Sequence, residues 1–149
     1  IGVMDADGRN TRILTAGDSN DQVPTWSRDG QRLLFFSDRS GRQQIYTMAA
    51  DGTDVRQVAR SDANDSTPFW SPDNSRIAFT SDRGGGLDIQ VMDADGGRVH
   101  QVTHTAANER TAVWSPDGRR LLFSADTAGR SDIFTIQADG TDLRRLTGD

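Results

Sequence analysis

The 149-residue chain is 34% hydrophobic and 26% charged, with a mean hydropathy of -0.66 and a formal charge of -5. Its 17 cations are all Arg, Glu109 is the sole Glu, and cysteine is absent, which excludes disulfides and thiolate metal sites. Arginines scattered among aspartates disfavour a nucleic-acid partner, and no stretch approaches the roughly 18 apolar residues of a membrane span.

Residues 1–17 read as a hairpin turned at Asp7-Gly8, matching only the end of a longer unit. Three full units follow, 18–61, 62–105 and 106–149. Trp26, Trp70 and Trp114 stand 44 residues apart, as do Asp7-Gly8, Asp51-Gly52, Asp95-Gly96 and Asp139-Gly140. An unbroken period of this length is the signature of a repeat architecture, so a residue recurring in register is read first as architecture.

Each full unit reads as four short strands. The first carries the Trp and leads into a tight turn at Arg28-Asp29-Gly30, Ser71-Pro72-Asp73-Asn74 or Ser115-Pro116-Asp117-Gly118. The second is a continuous apolar run: Leu33-Leu34-Phe35-Phe36, Ile77-Ala78-Phe79 or Leu121-Leu122-Phe123. Continuous rather than alternating apolarity predicts burial on both faces. A polar loop leads to the third strand, and Asp-Gly closes a hairpin onto the fourth. No segment has a sustained helical stripe. The expected fold is all-β, a β-propeller of four-stranded antiparallel blades, with three complete blades plus a two-strand hairpin. Each Trp is expected to pack between blades.

Pro68-Phe-Trp-Ser-Pro-Asp, Arg76-Ile-Ala-Phe-Thr-Ser-Asp-Arg and Ile89-Gln-Val-Met-Asp-Ala-Asp-Gly resemble the repeat of the TolB-like propellers along the whole chain. The resemblance implies a non-catalytic, periplasmic or extracytoplasmic scaffold that docks a protein or peptide at its channel mouth. It leaves two alternatives: an accessory propeller of a larger hydrolase or lyase, and a self-assembling structural ring. Three blades cannot close a ring alone, so the chain is expected to be a fragment or to pair with copies of itself.

The loop entering each blade carries Asn20-Asp21, Asn64-Asp65 or Asn108-Glu109. Repeated in register, the acids would form a partial ring of carboxylates attracting a basic segment. Equally, each Asn-acid pair would order its own loop through side-chain to backbone hydrogen bonds. Arg39 and Arg83 follow Asp38 and Asp82, with Thr127 at the third register, and are expected to form ion pairs between blades while supporting the same binding face. Tyr46, Gln90 and Phe134 vary at one register and are expected to tune packing.

No cofactor, metal or catalytic group is expected. An EF-hand starting at Asp93 would need Gly and Glu where Arg98 and His104 stand. His100 and His104, four apart on a strand, would lie about 13 Å from each other. Ser27, Ser71 and Ser115 recur within the turn motif, and no Gly-x-Ser-x-Gly elbow or phosphate-binding loop is present.

Overall fold

The computed structural model describes residues 1–127 and 129–148. Residues 128 and 149, inside the expected unit 106–149, lie outside the described residues. The described residues contain strands and turns and no helix. A hairpin of β1 (Gly2–Val3) and β2 (Arg12–Ile13) comes first. The first blade is β3 (Asp21–Trp26), β4 (Arg32–Ser37), β5 (Gln44–Ala49) and β6 (Arg56–Gln57). The second is β7 (Asp65–Trp70), β8 (Arg76–Ser81), β9 (Asp88–Asp93) and β10 (His100–Gln101). The third is β11 (Asn108–Trp114), β12 (Arg120–Thr127), β13 (Arg130–Gln137) and β14 (Arg144–Arg145). Each blade is an antiparallel meander in chain order. The fold is that of a partial β-propeller.

The turns follow from their residues. Ser27 Oγ donates to Asp29 Oδ1 at 2.6 Å and accepts from Arg32 N, bracing the first turn, and Ser71-Asp73 and Ser115-Asp117 repeat the brace. At the Asp-Gly hairpins, Asp51 and Asp139 accept from the backbone and hydroxyl of Thr53 and Thr141. The glycines supply the left-handed φ that these turns require. Each inner strand also bulges around Val23, Thr67 or Thr111, all at positive φ. Such backbone is unusual for β-branched residues and persists because the neighbouring pairing fixes it.

The inner strands β3, β7 and β11 touch in succession, whereas β6, β10 and β14 meet no strand outside their own sheets, so the blades fan outward. The core lies between sheets. Leu34 and Ile45 of the first blade meet Ile77, Phe79 and Met92 of the second. Ala78, Ile89 and Val91 of the second meet Leu121, Phe123 and Ile136 of the third. Leu33, Phe35, Tyr46 and Met48 receive Ile1 and Leu14 from the opening hairpin.

The apolar runs at 33–36 and 77–79 are buried on both faces as expected. The third run alternates: Leu121 and Phe123 are buried, but Leu122 is exposed, because no blade covers the far side of this sheet. The tryptophans differ for the same reason. Trp70 and Trp114 pack between blades, and Trp114 donates Nε1–H to the Phe69 carbonyl at 3.2 Å. Trp26, which precedes them in register, is exposed because the opening hairpin supplies no inner strands against it.

Candidate functional site at the inter-blade loops

The loop entering a blade arrives beside the loop joining that blade's second and third strands, and hydrogen bonds weld the two together. Asn20 donates from its backbone N and its Nδ2 to the Asp38 carboxylate, at 2.9 and 2.7 Å. Asn64 repeats this clasp on Asp82 at 2.8 Å for both bonds. The Asn amide groups hold Asp38 and Asp82 below the usual carboxylate range. Asn64 Oδ1 accepts from Gln43 N of the preceding blade, and Asn108 Oδ1 from Leu87 N, so these side chains tie each entry loop to the blade before it rather than ordering that loop alone. Asn108 makes no clasp; the strands lengthen instead, and Asn108 pairs with Asp126 in the β11–β12 ladder.

The acids beside these asparagines turn inward. Asp65 is 1% exposed and Glu109 0%, while Asp21 is half-buried. Asp21 and Asp65 face arginines rather than water. Arg39 reaches Asp21 at 2.8 Å, and Arg83 Nη2 reaches both oxygens of Asp65 at 3.0 Å. Each arginine also donates Nε–H to the serine two residues before it, Ser37 or Ser81, at the end of the preceding strand. These pairs lie within a blade, which corrects the expected pairing between blades. The register sets this: Asp21 opposes Ser37 and Asp65 opposes Ser81, so an arginine two residues later folds back over its own sheet. For Asp21, burial pushes the carboxyl up, but Ser37 and Arg39 together bring it below its ordinary value.

Glu109 has no such partner. Among the described residues no cation pairs with it; it accepts from the Thr103 hydroxyl at 3.2 Å and from the Thr105 hydroxyl. Burial pushes its carboxyl up, against the pull of those hydroxyls. Asp88 is likewise pushed up by burial, opposed by the charge of the nearby His104.

The site residues therefore share one edge of the three blades in two layers. Asn20 and Asn108 are exposed, Asn64 is half-buried, and Arg39 and Arg83 are partly exposed. The three acids lie beneath. Asp18 and Asp62, which the sequence reading did not single out, and Asp126, at the register of Asp38 and Asp82, are exposed at the same edge. Asp18 and Asp62 stand 44 residues apart, two positions before Asn20 and Asn64, and the third unit breaks that register with Ala106. Among the described residues, no group of three or more His, Cys, Asp or Glu could hold a metal ion.

A family model described as the TolB beta propeller domain matches residues 1–68 and 57–149, the whole chain. The chain belongs to the TolB β-propeller domain family. No curated protein shows a significant match to it. Among solved structures, a protein assigned as TolB from Agrobacterium tumefaciens superposes with a TM-score of 0.87 at 23% identity, over 98% of this chain and 55% of that one. TolB from Acinetobacter baumannii gives 0.86 at 23% identity, over 99% and 37% of the respective chains. A puromycin hydrolase gives 0.74 at 20% identity, over 94% and 22%. These likenesses show the fold. The chain spans about half, or less, of the length of these structures.

Proposed function

We propose that this TolB-family chain is a non-catalytic propeller scaffold that docks a protein or peptide on its inter-blade loops. The observation carrying this reading is the repeated clasp, Asn20 on Asp38 and Asn64 on Asp82, which braces successive loops on one edge. Pre-ordered loops lower the entropy cost of docking. Asn20, Asn64, Asn108, Arg39 and Arg83 form the contact layer. Asp21, Asp65 and Glu109 hold that layer from beneath, and the exposed Asp18, Asp62 and Asp126 offer carboxylates to a basic segment. The family resemblance supports an extracytoplasmic location.

The experiment is fluorescence anisotropy with a labelled Arg- and Lys-rich peptide. Asp18→Asn, Asp62→Asn and Asp126→Asn together are expected to weaken binding about tenfold at low salt, with the difference shrinking as salt is raised. Equal affinity in parent and triple variant would remove the edge from consideration.

The likeness to a puromycin hydrolase, over 22% of that chain, favours a second reading: an accessory propeller beside a catalytic domain. Hydrolysis of an amide substrate by a longer parent protein, lost on deletion of this segment, would support it.

A further inference from the structure

The three blades repeat one cradle, and one of the three lacks its occupant. In the first blade, Phe35 and Tyr46 stack at 5.8 Å and 22°. The Arg39 guanidinium lies 5.3 and 4.9 Å from their ring centres and pairs with Asp21. In the second, Arg83 lies 5.5 Å from the Phe79 ring centre and pairs with Asp65. In the third, Phe123 and Phe134 stack at 5.8 Å and 19°, the same arrangement as Phe35 and Tyr46. Glu109 stands at the register of Asp21 and Asp65, but Thr127 stands where the arginine would be.

A cavity of about 450 Å³ occupies this place, with Thr105, Glu109, Phe123, Asp126, Thr127 and Phe134 in its wall. At the matching register of the second blade the hollow is smaller, about 380 Å³, with Arg83 itself in the wall. The charges around the third cradle remain unbalanced. Thr127 donates to Asp132 rather than to Glu109, and the nearby Arg145 is held by Asp132 at 2.6 Å. Asp126 has no Asn clasp and meets Arg110 only at 3.7 Å.

We propose that this cleft beside the third blade binds a guanidinium-bearing ligand, which stacks on Phe123 and Phe134 and pairs with Glu109. The chain's own arginines supply the pattern. A planar cation gains from the aromatic faces and forms paired hydrogen bonds with a carboxylate, and a buried acid without a cation is the group that gains most from one. Ala125 replaces Ser37 and Ser81 at this register, which removes the acceptor that holds Nε–H in the other blades. The ligand's terminal nitrogens therefore make the ion pair, and its substituted nitrogen points toward the rim at Asp126. This goes beyond the docking reading: the group bound is a single guanidinium and the cleft lies between two sheets, so peptide anisotropy and the experiment below can fail separately.

The test is a titration of the ¹⁵N-labelled full chain with ethylguanidinium, followed by chemical shifts, with propylammonium as the equal-charge control. Saturable shifts at Thr105, Glu109 and Thr127 are expected, with a Kd of about 1–10 mM. Glu109→Gln should weaken binding about tenfold. Thr127→Arg should fill the cradle and abolish the shifts, whereas Thr127→Val, which leaves the space open, should retain them. Tighter binding of an Arg-containing tetrapeptide than of ethylguanidinium would identify a peptide side chain as the source of the cation; the reverse would identify a free small molecule. No saturable shift in the parent, equal binding of propylammonium, or unchanged binding by a folded Thr127→Arg would overturn the proposal.

Discussion

Two residue-scale substitutions separate the paired acids from the unpaired one. Arg83→Ala leaves Asp65 buried with only the Ser61 hydroxyl at 2.8 Å. Loss of a partner from a buried carboxylate is expected to cost about 2–3 kcal/mol, read by urea unfolding. A cost within error of zero would show that solvent reaches Asp65. Glu109 behaves in the opposite sense. Its folded-state carboxyl is raised above the ordinary value of 4.5, so its contribution is fully present below that pH and is lost as pH rises through the folded value. Glu109→Gln should therefore match the parent in acid and become progressively the more stable of the two toward neutral pH. Parallel stability curves would contradict this. Asp38 and Asp82 run the other way: their lowered values add stability that disappears only as pH falls.

Blade contacts are decided at the level of the hairpin. The Asp-Gly turn of each blade rests on the chain of the blade before it. A Cβ at Gly96 would stand 1.9 Å from the Val58 carbonyl oxygen, and one at Gly140 3.0 Å from that of Val102, whereas one at Gly8 would meet nothing within 4 Å. All three glycines have positive φ, so each Ala variant carries a backbone penalty of about 1 kcal/mol. Gly96→Ala adds a collision with backbone and is expected to cost about 3 kcal/mol or more. Thermal unfolding of the three variants should rank Gly96→Ala lowest and Gly8→Ala highest; equal melting points would mean that the turns do not bear on neighbouring blades. Most of this element structure was legible in the sequence, because turn chemistry and the apolar runs recur every 44 residues. The inward turn of the acids was not, since it depends on strand register around the bulges near Val23, Thr67 and Thr111. One signal was readable but had to be combined: the unit that has Thr127 in place of Arg is also the unit that has Glu109 in place of Asp.

The whole molecule has two open ends that carry the chemistry of its closed interfaces. Leu146 is 57% exposed, while Val102 at the same register is 1% exposed; Ile133 is 36% exposed, while Ile89 is 0%. Trp26 is 47% exposed at the opposite end. Side chains buried between blades when a neighbour is present are bare where it is absent, and such faces favour association. Analytical ultracentrifugation of the isolated 16.3 kDa chain is expected to show mass rising with concentration, and Leu122→Asp with Leu146→Asp should return it toward the monomer. A constant monomer mass in the parent would show that the bare ends do not meet. The outward fan of the strands has a consequence for how such a protein can change over time. Since every sheet leans only on the two beside it, whole 44-residue modules can be gained or dropped with each surviving seam kept intact. Within a module, by contrast, losing a single residue from a strand would put its greasy side chains on the wrong face of the sheet.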